Sequence, residues 1–277
     1  MKWQIGVRAH DFGKRPLTEL TGLISAKGYG YIQLALTKAI TDFNYSYGLL
    51  SNGMMRTIEK ELSKQNLRVS VLGCYIDPST ADKDEYNNNL LVFKEHVKFA
   101  KEVGAGMVAT ETGKFVHTGS DTDILVNPQF ERVARFFEQA VEVAEKAGVK
   151  VAVESVESHT INCPETTKVL LDRINSPSFV ALFDAVNMIL PDRVDKQKEL
   201  IDSVFNLYGD RINAFHIKDF ALENGNKVRR SIGEGQLELA YLMGKIKEYK
   251  PYGDLLLEEA LPEEAEAKIS LLQSLIG

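Results

Sequence analysis

The segment Ile212–Phe220 reads INAFHIKDF. A short β-prone run closes on His216, and Lys218 and Asp219 follow almost at once. Strands alternate faces, so Ala214 stands behind His216 on one side. Three other runs share this form: VKVAVE ends at Glu154, FVALFD at Asp184 and DLLLE at Glu258. Counting back by two gives Ala152, then Leu182 with Val180, then Leu256. Each polar residue tops a face of small or apolar side chains, and in a closed barrel that is the inward face.

Working outward, each such run is followed by an amphipathic segment at helical spacing. Runs at 3–9, 30–36, 67–76, 106–112, 149–155, 178–184, 211–217 and 254–260 precede helices at about 16–28, 51–65, 83–103, 128–147, 164–175, 195–208, 237–249 and 262–275. The helix over 128–147 has its own punctuation, with Asn127 as cap, Pro128 in the first turn and Gly148 as stop. Eight alternating strand–helix units predict an α/β protein, a (β/α)₈ TIM barrel formed by residues 1–277 as a single domain. An open doubly wound sheet is the alternative, but VRAHDFGKRP after the first strand is not a Gly-rich phosphate turn.

The composition agrees with an ordinary globular chain, with 44% hydrophobic and 26% charged residues. A net charge of −6 disfavours a nucleic-acid backbone as main partner. No apolar run approaches the ~20 residues a membrane span needs. The N-terminus lacks a signal-peptide core, and the two cysteines, Cys74 and Cys163, suggest no disulfide framework. The expected location is the cytoplasm, and helical faces on barrels commonly pair subunits, so a homo-oligomer is expected.

Four consecutive strands would deliver Glu154, Asp184, His216 and Glu258 to one mouth. Three carboxylates and an imidazole cannot share a small buried site unpaired. A divalent cation resolves the conflict. Mixed oxygen and nitrogen ligation suits Mn²⁺ or Mg²⁺, with Zn²⁺ and Co²⁺ as alternatives. Glu259 is an alternative to Glu258, because a slip of one residue in strand phase exchanges them.

With these residues in place, the chain resembles the xylose isomerase-like TIM barrels. This group of sugar isomerases and epimerases also includes inosose dehydratases and apurinic endonucleases. The matching segments are LGCYID (72–77), VATETG (108–113), VAVESVESHTIN (151–162), FDAVNM (183–188), FHIKDF (215–220), IGEGQL (232–237) and LLLEEA (255–260). The resemblance implies a metal held by Glu154, Asp184, His216 and Glu258. It also implies that Glu154 and Glu258 exchange the proton of a ketose or related polyol through an ene-diolate. A lyase of the inosose dehydratase type is the alternative. An apurinic-site nuclease would want more than the five histidines present and a basic face.

The chain departs from that pattern in two places. Asn187 stands where several members carry a histidine three residues after the metal aspartate. Leu222 lies where many epimerases place an arginine. His159, in the loop after Glu154, is a candidate substrate contact, with a solvated histidine as the alternative. Glu111 ends the fourth run as a candidate substrate or supporting group. Lys218 and Asp219 either orient His216 or form a surface ion pair. Lys227, Arg229 and Arg230 are placed in the loop after the seventh strand and read as a solvated loop, with a cluster for a substrate phosphate as the alternative and Arg229 as a candidate substrate contact. His10 and His117 are placed in mouth-side loops, and Cys74 and His96 are read as packing residues. Trp3 opens the first strand, and Tyr75 and Phe12 are candidates for an apolar wall.

Overall fold

The computed structural model describes residues 3–43, 45–116 and 124–277. Among these, eight parallel strands close a barrel: Gly6–Arg8, Tyr31–Leu34, Arg68–Gly73, Met107–Thr110, Lys150–Glu154, Phe179–Asp184, Ile212–Ile217 and Asp254–Leu257. They are called the first to eighth strands below. Each pairs with its sequence neighbours, and the first closes on the eighth, with Gly6 opposite Leu256. The TIM-barrel expectation therefore holds.

Two buried layers follow from strand alternation. Ala152, Val180, Leu182, Ala214 and Leu256 form the barrel interior together with Tyr31, Val71, Met107 and Ala109. The opposite faces pack under the helices in a larger core that includes Phe93, Phe136, Phe137, Phe179 and Phe205. Tyr31 fills the barrel only because residue 6 is glycine; a Cβ there would lie 2.2 Å from the Tyr31 ring. The Tyr31 hydroxyl accepts from Leu255 N at 2.6 Å, tying the second strand to the eighth across the interior.

The helices start and stop on local signals. Asn127 accepts from Gln129 N at 2.9 Å, and Pro128–Ala147 ends at Gly148 with φ +68°. Ser51 caps Asn52–Lys64, and Asp82 caps Lys83–Phe99. Among the described residues, no helix is long and apolar enough to cross a membrane.

One connection differs from the expectation. The stretch after the seventh strand is no open loop; it forms a two-stranded antiparallel hairpin, Asp219–Glu223 with Asn226–Arg230. Its turn is Asn224–Gly225, both with positive φ, at +50° and +78°. That is the geometry an Asn-Gly hairpin turn demands. A further short helix, Leu36–Ala39, intervenes between the second strand and its long helix.

Asp219 anchors the base of this hairpin. Its carboxylate is 2% exposed and accepts four backbone N–H groups, from Phe220, Gly233, Gly235 and Leu237, at 2.8–3.0 Å. The IGEGQL segment thus wraps around one buried carboxylate. Gly235 is required there, since a Cβ would meet Asp219 Oδ1 at 2.2 Å.

Candidate metal centre

Glu154 and Asp184 end the fifth and sixth strands, His216 is the last residue but one of the seventh, and Glu258 follows the eighth. The register sets Asp184 opposite His216, and Leu256 opposite His216, so Glu258 stands one period further up. All four are buried, at 6% exposure or less. Each offers one donor atom, and the four atoms lie within 4.8 Å of one another. The expected alternative, Glu259, is exposed and has φ +55°, which turns it out of the strand's alternation.

His216 sits at the centre. Its Nδ1 is 3.1 Å from Glu154 Oε1 and 2.8 Å from Glu258 Oε2. Its Nε2 contacts Gln33 Oε1. Burial alone would lower the imidazole pKa, but the two carboxylates outweigh it and push it up to about 10. The ring therefore carries a proton on each nitrogen in this arrangement. The Gln33 carbonyl is an acceptor for Nε2–H and keeps the proton on that side. This leaves Nδ1, among the carboxylates, as the nitrogen that can exchange its proton for a cation.

Lys218 and Arg8 supply the remaining counter-charge. Lys218 Nζ is 2.9 Å from Glu258 Oε1 and 2.9 Å from Asp184 Oδ2. It also donates to Asn187 Oδ1 at 2.7 Å. Lys218 is 7% exposed, so the surface ion pair considered for it is not what forms. Arg8 Nη1 is 2.8 Å from Glu258 Oε1, and its other amine is 2.8 Å from Asp11. Burial disfavours both cations, but the adjacent carboxylates raise both pKa values above the usual range. Glu258 is held well below the carboxylate range by His216 and Lys218, against the effect of burial.

The donor set fits a divalent cation. Three carboxylate oxygens and one imidazole nitrogen converge without a bulk-solvent path to disperse their charge. Asp184 Oδ2 is buried without an aligned hydrogen bond, because its contact with Lys218 is an ion pair of poor hydrogen-bond geometry. A buried carboxylate oxygen held by an ion pair alone, beside three further donor atoms, is suited to a metal.

Asn187 also belongs to this cluster. Its backbone N–H donates to Asp184 Oδ1 at 3.0 Å, and its Nδ2 donates to Glu154 Oε1 at 2.8 Å. Lys227 reaches across from the hairpin to support it. Its Nζ donates to Glu157 Oε2, Val186 O and Ile189 O at 2.7–2.9 Å. Glu157 N in turn donates to Asn187 O at 2.8 Å. The three basic residues weighed as a phosphate cluster against a solvated loop are thus held in protein contacts. Arg229 donates to Glu259 O and pairs with Glu264, and Arg230 pairs with Glu223.

Glu111 and His159 lie at the rim, with His159 Nδ1 3.6 Å from Glu111 Oε2. His10 packs edge-on to Tyr75 at 5.8 Å, and burial lowers its pKa to about 3. Lys38 Nζ sits 3.3 Å over the Tyr75 ring. Phe12 packs against Tyr29 in the outer core and so does not join Tyr75 in a wall. His117 lies outside the described residues.

Arg8 and Gln33 were absent from the sequence candidates. The alternation rule reaches both: Gly6 and Arg8 share a face, and Gln33 follows Tyr31 by two. What marks them as partners of Glu258 and His216 is only the closure of the barrel.

Comparison with known proteins places the chain. It belongs to the xylose isomerase-like TIM barrel family, whose model matches residues 22–275. No curated protein sequence matches it. Among solved structures it is similar to the apo form of 3-keto-D-glucoside 4-epimerase from E. coli, with TM-score 0.75, 15% identity, and 99% of this chain and 100% of that one covered. D-psicose 3-epimerase from Clostridium cellulolyticum H10, solved with D-tagatose, superposes with TM-score 0.75 at 12% identity, covering 100% and 99%. A xylose isomerase-like barrel from Mycobacterium smegmatis, in complex with magnesium, gives TM-score 0.72 at 16% identity, covering 99% and 98%. At these identities the likeness establishes the shared fold.

Proposed function

We propose that this protein is a divalent-metal-dependent sugar isomerase/epimerase acting on a ketose or related polyol, with residues 1–277 working as one unit. The observation that carries the reading is the convergence of Glu154, Asp184, His216 and Glu258 within 4.8 Å at the ends of four consecutive strands. Two of the similar structures are epimerases of keto sugars, and a third holds magnesium, which supports the same reading. Mn²⁺ or Mg²⁺ suits three carboxylates best.

Glu154, Asp184, His216 and Glu258 would hold a divalent cation, whose positive charge would lower the cost of removing a carbon-bound proton beside a carbonyl. The protein's own groups do the rest. Glu154 takes the proton from carbon. Asn187 Nδ2 and the imidazole fix its Oε1, so the carboxylate loses little freedom on reaction. Glu258 stands across His216 from Glu154, gripped by Arg8 and Lys218. Delivery of a different proton by Glu258, entering in its acid form, to the opposite face inverts the centre and leaves Glu154 protonated, the two carboxyls then resetting by exchange with solvent. Return of the original proton by Glu154 preserves the centre. Burial of the cluster excludes bulk water from these transfers.

The test is deuterium wash-in from D₂O into D-tagatose, D-psicose and other ketohexoses with Mn²⁺, read by NMR. Glu154→Gln is expected to lose about 10²–10⁴-fold in exchange rate. If the Mn²⁺-loaded protein exchanges no proton in any ketohexose, the reading fails.

A further inference from the structure

Glu111 stands one strand over from Glu154 and outside the four-donor cluster. The fourth and fifth strands pair Ala109 with Ala152 and Thr110 with Val153, so Glu111 and Glu154 come abreast as the next residues. Met107 and Ala109 lie in the barrel interior, and alternation carries Glu111 to that same side. Its carboxylate is 35% exposed, open to the mouth.

His159 faces it from the loop after the fifth strand. The 3.6 Å between His159 Nδ1 and Glu111 Oε2 exceeds a hydrogen bond, and that nitrogen is buried without a hydrogen-bond partner. The backbone beneath the pair is tightly held. Phe115 N donates to Ser158 O, and Thr160 N donates to Gly113 O, both at 2.9 Å. Gly113 has φ +72°, and a Cβ there would meet Asp77 Oδ1 at 2.0 Å. Two proton-carrying side chains are therefore fixed at their bases and left with a gap between their tips. A sugar oxygen standing beside both tips, rather than between them, comes within hydrogen-bond reach of each.

We infer that Glu111 is the acid–base group for substrate oxygens, with His159 holding the oxygen in transit beside it, so that a proton moves from one sugar oxygen to its neighbour while Glu154 moves the proton on carbon. The reaction this defines is an aldose–ketose shift. The inference rests on the sugar isomerase/epimerase reading above and names the reaction within it.

The steps balance without a co-reactant. Glu154 takes a proton from the carbon beside the carbonyl, and the C–H electron pair becomes a C=C bond. The carbonyl π pair moves to oxygen, which receives the proton of Glu111. The Glu111 carboxylate then takes the proton of the neighbouring hydroxyl, whose O–H pair forms the new C=O. The C=C pair collects the proton from Glu154 at the former carbonyl carbon. His159 accepts or donates a hydrogen bond to the oxygen in transit.

The surroundings suit proton sharing. Burial, and next the Glu154 charge, raise the Glu111 carboxyl above its usual range; Glu258 adds to this, while His159 and Lys218 oppose it. Lys38 also faces Glu111 from the short helix after the second strand. Burial lowers the His159 imidazole, with Glu111 and Asp77 opposing and Lys114 assisting.

The experiment measures partition. Mn²⁺-loaded wild type, Glu111→Gln and His159→Asn are each incubated with the ketohexose panel in D₂O. Deuterium in recovered ketose and aldose formed are read from the same spectra, with melting temperatures recorded alongside. The expected result is that wild type forms aldose and that Glu111→Gln lowers aldose formed per exchange event by about a hundredfold. His159→Asn is expected to lower it about tenfold and serves if Glu111→Gln does not fold. The inference is overturned if wild type exchanges deuterium but forms no aldose, or if the partition ratio stays within about threefold in the folded variants. Absence of exchange in wild type instead refutes the underlying reading of the site.

Discussion

Asp219→Asn changes one atom in a buried residue that touches no candidate donor, and its cost can be worked from the structure. Oδ1 accepts from Phe220 N and Leu237 N, and Oδ2 accepts from Gly233 N and Gly235 N. Whichever way an amide turns, its NH₂ faces two of these N–H groups. Two charge-assisted bonds are lost, each worth about 1.5–3 kcal/mol, and relaxation of the loop recovers part of the cost. The expected destabilisation is about 3 kcal/mol, or a fall in melting temperature of about 5 °C for a chain of this size. Native-state hydrogen exchange gives the sharper assay. The amides of Gly233, Gly235 and Leu237 should exchange about a hundredfold faster, while strand amides distant from the hairpin change little. A variant within about 0.5 kcal/mol of wild type, with those amides still protected, would refute the claim that this carboxylate organises the loop.

Three further outcomes follow from the cluster. Asn187→Ala removes a donor from Glu154 and an acceptor from Lys218, so deuterium wash-in should slow about 10–100-fold while Mn²⁺ affinity by calorimetry moves less than about threefold. Gln33→Leu removes the acceptor at His216 Nε2, and Mn²⁺ should bind about 10–100-fold more weakly; an unchanged Kd would contradict the tautomer argument. In EDTA, the His216 contribution to stability is complete below its usual value of 6.5 and is lost as pH rises through about 10, because the folded pKa is raised. The Glu258 contribution runs the other way: it is complete above the usual 4.5 and lost as pH falls, because the folded pKa is depressed. Melting curves of the metal-free protein should therefore peak between about pH 4.5 and 6.5.

Much of this was readable in the chain itself. Period-two alternation is a local property, and it named Ala152, Val180, Leu182, Ala214 and Leu256 as the inward face before any strand was paired. Helix punctuation is equally local, which is why Asn127, Pro128 and Gly148 mark the bounds of their helix. The Asn224–Gly225 turn is a local signal too, and it distinguishes a hairpin from the loop expected after the seventh strand.

Closure, by contrast, belongs to the tertiary structure. Arg8 meets Glu258 only because the first strand pairs with the eighth, and Gln33 meets His216 only because all eight interiors share one axis. The same closure buries Lys218 between Asp184 and Glu258. It also takes Lys227 out of the solvated loop expected for it to hold the backbone around Asn187. The sequence alone determined which residue types stand at the strand ends, because alternation and helix signals act over a few residues. Which charges neutralise one another there was decided only by the fold, because electrostatic pairing depends on distance in space and those partners lie far apart along the chain.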